Sequence, residues 1–395
     1  MTYKEIYIVF ILNIIFSLRM LGIFMTLPVI STYGMKLTGS SELLIGIAIG
    51  IYGLTQIIFQ IPFGFASDKI GRKPVIITGL LISSMGTCIA AIIENIWGLI
   101  LGRALQGVSA ISATILALLS DLIQNKNKTK AMMFFGLNFA ITFAISIILG
   151  PIITNSIGLQ GLFLTITLLT LLGIVLIIFF IPSLSQQNIK NSNHQYITIN
   201  SKFIKISTQP QLIKLDCSIF FLHTILILNF MTLPQIMNVL KLLPIEQSKI
   251  YCINILIALI VSAITILYAE KTKKMKKTLI TAIYVLFLSE IILLYINSNF
   301  YFLFFSILLF FIAFNIIEGI LPSILNKETP NTHKGTINGF YATSQFLGTT
   351  CGGILGGYLL NIYDIQIIFS LEIIVTMIWL IIIYSLKEPT HTKLN

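Results

Sequence analysis

The sequence predicts an all-α polytopic membrane protein with twelve transmembrane helices in two pseudo-symmetric six-helix halves. Three observations carry that prediction. Of 395 residues only 10% are charged and 56% are hydrophobic, with a mean hydropathy of +0.96, whereas a soluble domain is about 25% charged. Apolar stretches close to the ~20 residues that a bilayer crossing needs recur along the whole chain. The second half repeats the first at a constant offset of 206 residues: Phe24-Met25-Thr26-Leu27-Pro28 returns as Phe230-Met231-Thr232-Leu233-Pro234, and Ile148-Leu149-Gly150 as Ile354-Leu355-Gly356. Asn155, Gln160 and Phe163 find Asn361, Gln366 and Phe369 at the same offset.

The expected spans lie near residues 6–32, 43–66, 74–94, 97–121, 130–153 and 160–182 in the first half. In the second they lie near 211–238, 248–269, 278–296, 299–325, 335–361 and 363–386. The first run is too long for a signal-peptide core and has no small-residue cleavage site, so it is expected to be retained as a span. Between span 6 and span 7 the chain turns to Asn, Ser, Gln and Lys, which marks a linker. The domains are therefore 1–182, a cytoplasmic linker 183–210, and 211–395. Six spans in each half make the copies enter the membrane in the same sense, and parallel repeats of this kind hold their substrate site between them.

Charge sets the orientation. With a cytoplasmic amino terminus, 20 of the 25 Lys and Arg fall in inner loops and termini, while only Lys36, Lys241 and Lys249 fall outside. Both termini are thus expected in the cytoplasm. The formal +11 is orientation charge, since no basic stripe interleaved with exposed aromatics marks a nucleic-acid footprint. Cys88, Cys217, Cys252 and Cys351 are too scattered for a redox or zinc motif, so neither metal nor disulfide is expected. No nucleophile with a base, metal cluster or phosphate-binding loop suggests an enzyme, and no cofactor is implied.

Ionisable residues inside spans are functional candidates. Arg19 lies about 20 Å into span 1 at 1.5 Å per residue, His223 aligns with Ser17 through the repeat, and Glu318 stands in span 10 with Asn315 one turn earlier. Polar stripes at four-residue spacing mark a wet face: Tyr52, Gln56 and Gln60 in span 2, Asn138, Thr142 and Ser146 in span 5, Tyr341 and Gln345 in span 11. Glu290 and Glu372 fall in spans 9 and 12, where they are expected to serve packing or to reach an interface, and Asp216 is expected at the inner mouth of span 7. Gly348, Gly352 and Gly356 favour close packing of span 11. Only Arg19, Arg72 and Arg103 are Arg, against 22 Lys, which points to positions that need a planar, bidentate donor.

The loop after span 2 reads Gly64-Phe65-Ala66-Ser67-Asp68-Lys69-Ile70-Gly71-Arg72-Lys73-Pro74. There Gly64 is expected to admit a neighbouring helix, Gly71 to allow a tight turn, and Arg72 to need a carboxylate, with Asp121 the candidate. Glu270 and Lys274 form a worn copy in the second half. The pattern G-x3-D-x2-G-R-K resembles the signature of the major facilitator superfamily. Arg103, Gln106 and Gly107 in span 4 resemble its R-x-x-Q-G motif, and Gly150-Pro151 resembles the core of its antiporter motif, although Ser146 and Thr154 stand where glycines are expected. Longer strings, among them RMLGIFMTLPVI and YATSQFLG, look similar to YajR-type bacterial inner-membrane transporters, proton-driven and efflux-like, but here without a soluble carboxy-terminal domain.

That resemblance implies a conformational latch at the cytoplasmic side, built from Gly64, Asp68, Gly71, Arg72, Lys73 and Asp121, with Asp68 facing the amino end of span 11. It also implies a secondary transporter of the bacterial inner membrane, exporting small amphipathic or cationic molecules in exchange for protons by alternating access, and acting as a monomer in the lipid bilayer. A nutrient symporter and a non-transporting scaffold or sensor are the alternatives.

Overall fold

The computed structural model describes residues 1–124, 127–182, 209–295, 299–329 and 334–386. Apart from residues 209 and 210 the expected linker lies outside these residues, as does the tail from Lys387. The regular structure of the described residues is helical, with one isolated β-bridge pairing Thr38 with Asn95. Ten of the helices are long and apolar enough to cross a membrane. The chain separates into two compact units, Met1–Gln195 and Tyr196–Asn395.

In the first unit α1 (Tyr3–Phe24) opens with a capping box, in which Thr2 and Glu5 satisfy each other's backbone N–H groups. The expected first span breaks at Met25 and Thr26, and α2 (Leu27–Tyr33) continues it. Pro28 supplies no N–H to a continuous ladder, and the Thr26 hydroxyl donates back to the Ile23 carbonyl at 2.7 Å. Next come α3 (Glu42–Ile70), capped by Ser41, and α4 (Arg72–Ile92). The expected fourth span is also broken, into α5 (Ile96–Val108), capped by Asn95, and α6 (Ser112–Leu122).

Spans 5 and 6 form one element, α7 (Lys128–Phe180), with Gly158 in a non-helical conformation at φ 74°. A continuous helix of that length would run about 80 Å at 1.5 Å per residue, far more than the ~30 Å hydrocarbon core. Gly158 divides it into two lengths that each suffice for one crossing.

The second unit holds α8 (Pro210–Val239), α9 (Pro244–Thr272), α10 (Met275–Leu294), α11 (Phe300–Glu328), α12 (Lys334–Ile362) and α13 (Ile365–Tyr384). Of these α12 is not among the ten apolar crossings, because its glycines, threonines and amides dilute the hydropathy. Its glycines serve packing: a Cβ at Gly352 would stand 2.8 Å from the Thr224 carbonyl oxygen of α8, so only glycine admits this backbone approach. The pairing of first with fifth span is the same in both units, α1 against α7 and α8 against α12.

Candidate functional site

Two helix breaks in the first unit, α1–α2 and α5–α6, are each met by a buried Arg. Arg19 of α1, 3% exposed, donates to the Ser109 carbonyl at 2.7 Å, in the α5–α6 break, where the Ile111 N–H also reaches it at 2.8 Å, and to the hydroxyl of Ser112 at the start of α6. Gln56 of α3 accepts a longer bond from it at 3.4 Å. Arg103 of α5, 1% exposed, donates to Thr26 Oγ1 at the α1–α2 break at 3.2 Å and to Gln106 Oε1 at 2.8 Å. Its guanidinium also lies 4.8 Å from the centre of the Tyr52 ring, a cation–π contact that needs no solvent. The sequence therefore placed Arg19 with Gln56, and Arg103 with Gln106, on correct helices, but Ser109, Ser112 and Thr26 went unnoticed. Their signal was faint: each is a small hydroxyl residue inside an apolar run, with a glycine, proline or further hydroxyl two residues away.

Gly107 packs against the backbone of Tyr52, so α3 and α5 meet at backbone distance. Gln60 has an oxygen buried without a hydrogen-bond donor among the described residues. On the other side of α1, Ser17 shares hydrogen bonds with Asn138 and Thr142 of α7, the latter at 3.0 Å, and Asn138 also reaches the Asn13 carbonyl at 3.2 Å. A cavity of about 430 Å³ borders Asn13 and Asn138 and is otherwise lined by apolar residues such as Phe10 and Phe134. Further along α7, Gly150 abuts the Met25 carbonyl at the α1–α2 break, and Thr154 donates to the Gly150 carbonyl at 2.8 Å beside Pro151.

The α3–α4 turn is built around Arg72. Its Nη1 reaches Asp68 Oδ1 at 2.5 Å and Ser67 Oγ at 2.6 Å, and its Nε reaches Asp121 Oδ2 of α6 at 3.3 Å. Arg72 is 13% exposed, Asp68 52% and Asp121 35%. Gly71 takes φ +99°, a backbone state that side-chain-bearing residues avoid. Lys73 donates to the carbonyls of Ile178 and Ile181 at 2.9 and 2.6 Å, tying the turn to the end of α7. Within its own unit, nothing among the described residues outside the adjoining helix backbone lies within 4 Å of a Cβ built at Gly64.

In the second unit His223 of α8 pairs through its Nε2 with the side-chain amide of Gln345 on α12 and stacks on Phe314 of α11 at 6.1 Å. Its Nδ1 has no hydrogen-bond partner among the described residues, nor do Glu318 Oε2 or the Tyr341 hydroxyl, all buried atoms. Tyr341 lies within electrostatic reach of Glu318 and Asp216. Asn315 stands one turn before Glu318 and is half-buried. Asp216, near the start of α8, is partly buried, and its Oδ1 has no hydrogen-bond donor among the described residues.

Glu290 and Glu372 are wholly buried, which agrees with the first of the two roles expected of them, packing, and not with an interface. They meet at Asn229 of α8, whose Nδ2 donates to Glu290 Oε1 at 3.1 Å and to Glu372 Oε1 at 3.3 Å. Position in a span gives depth but not the neighbouring helix, so the sequence could not bring the pair together.

The chain matches the family described as Major Facilitator Superfamily over residues 12–349 and 275–395. It is 46% identical over 382 residues to the inner membrane transport protein YajR of Escherichia coli (strain K12), covering 97% of this chain and 84% of that one. It is 25% identical over 406 residues to multidrug resistance protein 2 of Bacillus subtilis (strain 168), covering 99% and 98%. Among solved structures it is similar in fold to a D-xylose-proton symporter, with a TM-score of 0.75 over 99% of each chain at 14% identity.

Proposed function

The chain belongs to the Major Facilitator Superfamily and is a membrane transporter rather than an enzyme, and from that premise we propose that it exports small amphipathic or cationic molecules in exchange for protons. The observation that carries the reading is the placement of ionisable groups inside otherwise apolar helices. Arg19 is held among Ser109, Ser112 and Gln56, His223 is paired with Gln345, and Glu318 keeps a buried oxygen without a donor. An ionisable group in a span is costly and persists where it handles charge. In this reading Arg19 stays charged throughout the cycle, and His223 or Glu318 takes and releases the exchanged proton.

Asn138, Thr142, Gln56, Gln60, Asn315, Tyr341 and Gln345 offer hydrogen bonds along the substrate path. Gly150 and Pro151 shape the span-5 contact with the α1–α2 break, as in antiport members that the motif resembles. Similarity to a protein named for multidrug resistance supports export of drug-like molecules. Similarity to an inner membrane transport protein supports the same multi-pass location here; the distribution of Lys and Arg argues for both termini in the cytoplasm, and the chain is proposed to act as a monomer.

The ionic triad Asp68, Arg72 and Asp121 is assigned the role of conformational latch. It anchors the α3–α4 turn to α6, while Gly71 sets the bend and Lys73 fixes the turn to α7, so that the turn moves as part of its own half. The test is transport in proteoliposomes with an imposed pH gradient and a panel of lipophilic cations. Accumulation opposite to proton flow supports export by exchange, and accumulation along proton flow identifies a symporter.

A further inference from the structure

Glu290 on α10, Glu372 on α13 and Asn229 on α8 converge from three helices, each with no exposed surface. One oxygen of each carboxyl group accepts from the same Asn229 Nδ2, at 3.1 and 3.3 Å, so the two carboxyls are neighbours across a single donor. The remaining oxygen of each of the three side chains, Oε2 of Glu290, Oε2 of Glu372 and Oδ1 of Asn229, is buried without a hydrogen-bond donor among the described residues. Among the described residues no Lys, Arg or His and no further carboxylate from α8, α10, α11, α12 or α13 acts on either Glu.

Bundle packing does not call for this arrangement. In the first unit the third and sixth spans, α4 and the part of α7 after Gly158, contain no Asp or Glu, and residue 23, which aligns with Asn229 through the repeat, is Ile. The same architecture therefore closes there with apolar and hydroxyl side chains. Two bare carboxylates in contact, out of water and with one amide between them, repel each other without compensation. The cluster needs a positive charge, and the smallest that fits between hydrogen-bonded carboxyls is a proton.

We propose that Glu290 and Glu372, bridged by Asn229, form a proton-binding site inside the second unit that holds one proton between the two carboxyls. Uptake of one proton converts one carboxylate to a carboxylic acid, whose O–H donates to the other carboxylate, and release returns that proton to water. The site is separate from His223 and Glu318, and it stands whether or not the chain exports its substrate.

The test is infrared spectroscopy of the purified full chain in lipid at neutral pH, without substrate. The acid C=O stretch is followed in H2O and D2O, in choline chloride and in sodium chloride. The parent and Glu318→Gln are expected to show an acid band that shifts in D2O. Glu290→Gln, Glu372→Gln and the double substitution are expected to lose it, each keeping the shape and the hydrogen-bonding capacity of the side chain. Where the double substitution does not fold, the single substitutions give the same reading. An acid band unchanged in both single variants, no acid band in the parent, or a parent band removed by sodium chloride overturns the proposal, the last by showing a metal cation site instead.

Discussion

Arg103→Lys tests whether a planar fork, and not only a charge, is needed at the first buried break. Arg103 donates from one nitrogen to Thr26 and Gln106 and covers the Tyr52 ring from 4.8 Å. Both bonds leave a single nitrogen and a Lys ammonium has donors enough for two acceptors, so what Lys lacks is reach and the planar face: its Nζ stops short of the Nη1 position, which leaves one acceptor buried without a donor. A charge-assisted hydrogen bond contributes about 1.5–3 kcal/mol in soluble proteins, and interhelical bonds inside a membrane average about 0.6 kcal/mol. With a weakened ring contact of about 0.5–1 kcal/mol, the loss comes to about 1–3 kcal/mol. For a unit of this size that is a fall in Tm of about 3–10 °C. The assay is thermal unfolding in detergent, followed by a thiol-reactive dye at Cys88 in a chain whose Cys217, Cys252 and Cys351 are changed to Ser. Thr26→Val, which removes one acceptor and keeps Gln106, should fall by less than half as much. An Arg103→Lys protein that melts with the parent would show that charge alone suffices and that the fork argument fails.

Gly352→Leu should prevent α12 from docking on α8, because its Cβ already meets the Thr224 carbonyl, and it should abolish monodisperse protein on size-exclusion chromatography; wild-type elution would contradict the packing account. Arg72→Lys and Asp121→Asn should each raise amide hydrogen exchange in the α3–α4 turn severalfold and slow transport. Both acid partners are a third or more exposed, so each ion pair contributes only about 0.2–1 kcal/mol, and unchanged exchange would remove the latch role. A cysteine placed in the 183–210 linker should react with membrane-impermeant maleimide only from the cytoplasmic side, as the 20 to 3 distribution of Lys and Arg demands; periplasmic labelling would invert the topology.

Hydropathy and repeat arithmetic located the helices because a bilayer crossing imposes its length on the sequence. They could not locate the breaks. Residues 24–28 and 109–111 are as apolar as their flanks, and what accompanies the first break is local, a proline without an N–H and the Thr26 hydroxyl on the Ile23 carbonyl, while at the second the tight bonds from Ala110 and Ile111 to Val108 and Ser109 replace the helical ladder. Nor could they foresee that Arg19 and Arg103 would each serve the break in another helix, since that depends on which helices touch. The turn at Gly71 was legible because its residue pattern encodes backbone geometry directly. Ser67, which completes the Arg72 shell, sits one turn before it and was passed over as filler. For Glu290 and Glu372 the sequence left packing and an interface open, because it does not tell that both meet Asn229 of α8.

The central claim is that protons cross by way of His223 or Glu318, and proteoliposome transport with an internal pH dye tests it most directly. The parent should move an exported lipophilic cation and protons in opposite directions. Glu318→Gln or His223→Gln, whichever group carries the proton, should still bind and exchange substrate down its own gradient but should lose at least tenfold of pH-driven accumulation. Full pH-driven accumulation in both variants, and in the double variant, would contradict the account and move the coupling elsewhere in the chain.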